Sequence, residues 1–391
     1  MFQYKKSILY FSFFTSLCFY TPVFAAYFQN VHKMSNYQIT LLFAIFSFAT
    51  FLSEIPAGII GDRIGEKTSL VISSIFVCLS TIFFLIGNYF LVFVGEILFA
   101  ISGAFRSGAF ESLIYQYCNG TKDKSNYNQL ISKIYSIQWI ALCFSFAGCS
   151  LLSASLSMEW AFYSTLIANI ITLIFTFCLP QIERERKKKS IEILSTCLKA
   201  IKDKKEVQKV IFYNSFCTTI LISGYHIFQP YLNEIKIENS YNGILYFLGA
   251  ICASYGSFIF RKLSEKMTSK SILFLCIILL EIAMFGLLKA SSYVLIIAVL
   301  IGIYRLAWGI TSPLLVSMAN ECIESNDYRD TFFSIISMFS SILNAFVLGA
   351  FGFFHLTMKS SYLVLGIGIF LFGSAIFFDL FQVNKHTAHN F

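Results

Sequence analysis

The sequence predicts an all-α membrane protein whose roughly twelve transmembrane helices form two pseudo-symmetric six-helix bundles. Three observations predict it. The chain of 391 residues is 57% apolar and 18% aromatic but only 13% charged, more apolar surface than a core in water can hide. Its apolar runs recur at a length of roughly 20 residues, enough to cross about 30 Å of hydrocarbon. Shifted by about 198 residues, the first half lays its polar landmarks on those of the second: Gly58 on Gly256, Cys78 on Cys276, Gly103 near Gly302 and Arg106 near Arg305.

Taken in order, the spans are expected at about residues 7–28, 37–60, 69–87, 90–115, 131–153, 160–179, 210–231, 242–260, 272–288, 293–318, 332–354 and 361–383. The first follows Lys5 and Lys6 and ends near Phe24, Ala25 and Ala26, which resembles a leader cleavage site. The run is too long for a secretory leader, and its loss would leave an odd number of helices, so it is expected to stay as a span. The longest polar stretch contains the charged run from Glu183 to Lys189. It divides an N-terminal six-helix bundle (1–180) from a C-terminal one (210–391), with a linker at 181–209. Parallel halves of this kind place a solute site near mid-membrane, between them.

The formal charge of +8 reports orientation. With the N-terminus in the cytoplasm, about 23 of the 29 Lys and Arg fall in loops and tails on that side and four on the other, while Arg106 and Arg305 lie within helices. This is the positive-inside bias, and it excludes nucleic acid as the reason for the basicity. The 11 cysteines lack CxxC or Cys/His ligand spacing, so they are read as packing residues, with no disulfide, no metal and no cofactor. No Walker loop, HExxH pair or nucleophile elbow is present, and an enzyme is not expected.

The second span ends in Ser53-Glu54-Ile55-Pro56-Ala57-Gly58-Ile59-Ile60-Gly61-Asp62-Arg63-Ile64-Gly65-Glu66-Lys67. Gly58 permits close helix approach, Gly65 permits a tight turn, and Asp62, Arg63 and Lys67 supply a charged latch. The segment resembles the signature loop of the major facilitator superfamily, G-x-x-x-D-R-x-G-R-K. It departs from that pattern at Glu66, where the family usually has a base that pairs with an acid at the inner end of the fourth span. Glu111 is the candidate acid here, with Lys67 or Arg63 as a substitute base.

Residues 54–58, 102–115 and 313–320 with 329–334 look like a bacterial branch of that superfamily, which contains drug and tetracycline exporters and some siderophore transporters. The resemblance implies a secondary active transporter of a small organic solute, working by alternating access in the inner membrane, with both termini cytoplasmic. Proton-coupled export of a drug-like or anionic, siderophore-like compound by a lipid-embedded monomer is the expectation. A proton-coupled importer and a transport-silent receptor or scaffold stay open.

Ionisable residues inside a membrane cost about 2.5 to 3.5 kcal/mol at a helix centre on insertion scales and usually face the bundle interior. Glu54 sits about two turns from the latch and is the candidate coupling carboxylate, with Glu96 as a second, since an embedded acid can exchange a proton between open and closed states. Arg106 and Arg305 are repeat-related and flank the central cavity that the resemblance implies. Together they favour an anionic solute, unless helix carbonyls or Glu residues satisfy each of them. His226, Gln229, Gln138 and Trp308 complete the candidate solute site, with Tyr10, Tyr20, Tyr246 and Asn344 as further polar-tipped residues. Glu281 receives no role.

Both termini and the 181–209 linker are expected on the cytoplasmic side. In a cysteine-free variant carrying one cysteine in the linker, a membrane-impermeant maleimide should label only after the cytoplasmic face is exposed. Labelling from the periplasm of intact cells would overturn the whole map.

Overall fold

The computed structural model describes residues 2–119, 124–181, 201–202, 204–290, 293–321 and 329–388. Among them all regular structure is helical. The first span is not one helix: α1 (Phe2–Thr15) stops, the chain passes through residues 16–20 and a 3-10 turn at Thr21–Val23, and α2 (Phe24–Asn30) completes the crossing. Pro22 lies in that turn, where its fixed φ and missing N–H suit a first turn and not a helix interior. The expectation of a continuous helix over 7–28 is corrected here, because hydropathy does not sense a break in hydrogen bonding.

The chain continues through α3 (Asn36–Ile64), α4 (Glu66–Ile86), α5 (Tyr89–Asn119), α6 (Lys124–Ser155) and α7 (Glu159–Phe177). The second half comprises α8 (Lys205–Glu234), α9 (Ser240–Ser264), α10 (Ser269–Lys289), α11 (Val294–Glu321), α12 (Arg329–Phe353) and α13 (Met358–Ala388). Ten of these helices are long and apolar enough to cross a membrane. The other two crossings are the broken first span and α8, whose buried Asn214, Ser215, Thr219, Ser223 and Gln229 dilute its hydropathy. Residues 205–209, placed in the linker above, form the first turn and a half of α8.

Within each half, different chemistry holds neighbours together. In the first half hydroxyls and amides bridge helices: Ser73 Oγ donates to Ser102 O at 2.8 Å, Ser102 Oγ returns a bond to Ser73 O at 2.9 Å, and Asn169 Nδ2 donates to Thr81 Oγ1 at 3.0 Å. Such bonds substitute for the hydrophobic drive that lipid does not supply. In the second half α9 and α11 meet through glycines. A Cβ on Gly256 would lie 2.4 Å from Leu306 O, and one on Gly309 would lie 2.0 Å from Ala253 O.

The halves meet through α3 against α12 and α6 against α9, and their closest polar contacts cluster at one end. There Ser150 Oγ donates to Ser240 O at 2.8 Å, and a Cβ on Gly243 would lie 2.4 Å from Phe146 O. At the opposite end, which carries both termini and the α3–α4 turn, Gly58, Arg106, Ser107, Gly108 and Tyr255 are exposed. Cβ atoms at Gly58 and Gly108 would meet nothing within 4 Å. The two bundles are thus closed at the far face and apart at the termini face.

Gly309→Ala should force backbone from backbone and separate α9 from α11, at about 1 to 3 kcal/mol for overpacking. The detergent-solubilised variant should melt several degrees lower, whereas Gly103→Ala, with nothing within 4 Å of the added Cβ, should melt as the parent does. Equal melting of Gly309→Ala would contradict the close helix crossing.

Candidate functional site

The α3–α4 turn is made by Gly65, which takes φ 88° and ψ 162° and serves at once as the end of α3 and the cap of α4. Glu66 follows as the first residue of α4 and is buried. Its Oε1 accepts from Ser112 Oγ at 3.0 Å and from Gln116 Nε2 at 2.7 Å, both on α5. A carboxylate at a helix N-terminus is favoured by the macrodipole, and charge-assisted bonds are the stronger kind. The position that departs from the family pattern is therefore anchored by neutral donors on the fourth span. Motif reading missed this, although a Ser and a Gln four residues apart beside Glu111 were visible.

Lys67 Nζ donates to Phe177 O, the last residue of α7, at 2.8 Å, a cation on a helix C-terminus. Glu66 and Lys67 thus hold the turn within the first bundle. Arg63 is exposed. Gly58 makes no close helix approach in this conformation, because the bundles are apart at this face. Asp62 and Glu111 sit in α3 and α5, but their side chains lie outside the described residues.

Glu54 is half-buried on α3, and its Oε1 accepts from Ser337 Oγ of α12 at 3.0 Å, a bond between the bundles. About two turns towards the far face, Asn344 Nδ2 donates to Ser47 Oγ at 2.6 Å while Asn344 Oδ1 accepts from Ser223 Oγ of α8 at 2.5 Å. A polar ladder thus joins α3, α12 and α8. Glu96 is buried on α5 within electrostatic reach of Tyr20, and no hydrogen bond reaches it among the described residues.

Arg106 lines a cavity of about 430 Å³ together with Gln138, Thr15 and Asn169, and its Nη1 donates to Thr15 Oγ1 at 3.3 Å. Arg305 lies on α11 with its guanidinium carbon 5.1 Å from the Tyr225 ring centre and 5.0 Å from that of Trp308. Among the described residues neither arginine has an ion-pair partner. Cys18, which lines the Arg106 cavity, is within electrostatic reach of both Arg106 and Tyr225. His226 packs against Phe43, ring centres 4.5 Å apart.

Gln229 stands elsewhere. Its Oε1 accepts from Ala25 N at 2.5 Å and its Nε2 donates to Pro22 O at 2.6 Å, so its amide is engaged by the broken first span and not held open for a solute. Tyr10 is exposed beside Phe175 and does not line the cavity. The structure therefore groups Arg106 with Gln138, groups Arg305 with Trp308, and sets Gln229 apart as a fastener.

The sequence profile of the Major Facilitator Superfamily matches residues 7–348. The chain belongs to the major facilitator superfamily. Over 228 residues it is 24% identical to the uncharacterized MFS-type transporter YxaM of Bacillus subtilis (strain 168), a match covering 55% of each chain, so it spans about half the length of that relative. Among solved structures it is similar to the nucleoside transporter NupG, with TM-score 0.78 and 12% identity, covering 95% of this chain and 98% of that one. It is similar also to a D-xylose-proton symporter, with TM-score 0.73 and 12% identity, covering 95% of each chain. At such identities the likeness is one of fold: two six-helix bundles of the superfamily type.

Glu66→Lys, which restores the family's base, should set an ammonium against the N-terminus of α4 and remove the acceptor of Ser112 and Gln116. A loss of about 1 to 3 kcal/mol is expected, seen as a lowered melting temperature in detergent. Glu66→Gln keeps an acceptor and should lose less. A Glu66→Lys protein as stable as the parent would show that α5 does not hold the turn through this carboxyl.

Proposed function

We propose that this chain is a secondary active transporter that moves a small organic anion by alternating access of its two bundles, coupled to protons. The observation that carries the reading is the pair of repeat-related arginines, Arg106 and Arg305, which have no ion-pair partner among the described residues. Cations held in a membrane interior need counter-charge, and a cargo anion supplies it and takes it away again. A coupling role for Glu54 is supported by its bond to Ser337 across the bundles: a carboxylate accepts that bond more strongly than a carboxylic acid, so protonation and separation of α3 from α12 favour each other. Glu96, buried and without a hydrogen-bond partner among the described residues, is the second coupling candidate.

The latch of Gly58, Asp62, Arg63, Gly65 and Lys67, with Glu111, closes the termini face in the opposite conformation, and the open space around Gly58 fits its released state. With both termini cytoplasmic in an inner membrane, the conformation seen opens inward. Export is our first reading, on the resemblance of residues 54–58 and 102–115 to exporters. Import with protons is the second, favoured by the likeness to a protein described as a D-xylose-proton symporter.

Accumulation of anionic, neutral and cationic solutes should be compared in cells with and without the protein, before and after the proton gradient is collapsed. Glu54→Gln should abolish gradient-driven movement while sparing solute exchange. Unchanged dependence on the gradient in both Glu54→Gln and Glu96→Gln would remove the coupling assignment, and a purely cationic or neutral cargo would remove the anion assignment.

A further inference from the structure

The two arginines are equivalent in the repeat but not in their surroundings. The Arg305 cation is met by the faces of Tyr225 and Trp308, a contact that offsets part of its charge without an anion and leaves it less need of one than Arg106. Arg106 has one long bond to a threonine hydroxyl. Its cavity, about 430 Å³, is walled by α1, the residues following it, α4, α5, α6 and α7, and among the described residues takes none from the second bundle. That size suits a small-molecule site.

Much of the polar lining is already spent: Ser73 on Ser102, Ser74 on Thr176, and Asn169 on Thr81. What remains lines the same cavity. The Arg106 guanidinium, the Gln138 amide, for which the described residues supply no partner, and the Thr15 hydroxyl all offer donors. Phe11 and Phe110, ring centres 5.1 Å apart, supply an apolar wall.

We infer that this cavity on the N-terminal bundle, and not the ring-covered Arg305 opposite, seats the charged group of the cargo: a carboxylate or sulfonate on a small apolar body. Arg106 takes the charge and Gln138 and Thr15 take the remaining lone pairs. The anion then moves with the first bundle, and Arg305 with its two rings forms the facing wall. The inference rests on the transport reading above for the word cargo, and its test needs no flux.

Cys18 lines the same cavity, partly exposed, and reports from inside it. In purified protein with the other ten cysteines replaced, its modification is timed with two methanethiosulfonate reagents, the anionic 2-sulfonatoethyl and the cationic 2-(trimethylammonio)ethyl forms. Each leaves a mixed disulfide and releases methanesulfinate. With rates normalised to free cysteine, the anionic reagent should be favoured by about tenfold or more in the field of the arginine. Arg106→Gln should bring the ratio to near one, Arg106→Lys should keep the preference, and millimolar benzoate should slow labelling of the parent but not of Arg106→Gln.

Ser107→Asp, an exposed substitution at the cavity wall, should bring the ratio towards one with Arg106 in place and keeps the test decisive where Arg106→Gln does not fold. A normalised ratio near one in the parent, a ratio that Arg106→Gln leaves unchanged, or no labelling of Cys18 by either reagent would overturn the site. An anion preference at Cys18 in a protein that moves no solute supports the site and removes the transport reading. Anion transport without that preference removes the site and keeps the transport reading.

Discussion

Backbone that leaves a helix inside hydrocarbon must find its hydrogen-bond partners in protein, and the break in the first span finds them in two different bundles. On one side Thr165 Oγ1 of α7 accepts from Phe19 N at 3.0 Å and Tyr20 N at 3.3 Å. On the other, the Gln229 amide of α8 bonds Ala25 N and Pro22 O. Tyr20, Phe24, Phe84 and Phe162 pack around the break, with Tyr20 and Phe162 stacked at 5.0 Å and Phe24 edge-on to Phe84 at 5.2 Å. The far face is closed because the first span needs α8. Parting the bundles there leaves backbone groups of residues 22–25 bare, at about 1 to 3 kcal/mol for each group left buried without a partner. Water entering the opened face removes most of that cost. Opening this end would exchange the Gln229 bonds, together with the Ser150 bond to Ser240 O, for water.

The two bundles can move as units because each is braced internally by contacts that do not stretch. The Ser73–Ser102 exchange of bonds holds α4 to α5, and Gly256 and Gly309 bring the backbones of α9 and α11 into direct contact. Neither has a soft intermediate: a hydroxyl bond is made or lost, and a backbone crossing cannot be padded. The seam between α3 and α12 differs in kind. Glu54 with Ser337 and Ser47 with Asn344 are side-chain pairs, which can be remade with water or with a proton. Motion is therefore expected to concentrate at the seam, where the titratable carboxyl also sits.

Helices were legible in the sequence because crossing a bilayer leaves a run of apolar residues that little else produces, and the α3–α4 turn was legible because Gly65 adopts a backbone conformation that other residues avoid. The break at 16–20 was not, since Phe19, Tyr20, Val23 and Phe24 are as apolar outside a helix as within one. Gln229 resembles a solute ligand in the sequence for the same reason: a buried amide looks alike whether it faces a cavity or a neighbouring backbone. In the sequence Glu66 stands out only as a departure from a motif, because Ser112 and Gln116, which bond it, are about fifty residues away and carry no charge to mark them. Local chemistry could be read from the chain. Which polar group spends its bonds on which other could not.

The repeat shows this limit most clearly and also accounts for the asymmetry of the site. Arg106 and Arg305 correspond in the two halves, but the position that corresponds to Trp308 is Ala109. On a helix, side chains three apart share a face, so one turn on from Arg305 stands an indole that can lie beside the guanidinium, while one turn on from Arg106 stands a methyl group. The second cation is covered by its own helix and by Tyr225; the first is left facing a cavity lined by donors. Of two arginines that correspond in the repeat, one is thus covered by rings and one faces the cavity, and under the anion reading proposed above the fitting ligand is an asymmetric solute with one charged end and one apolar end.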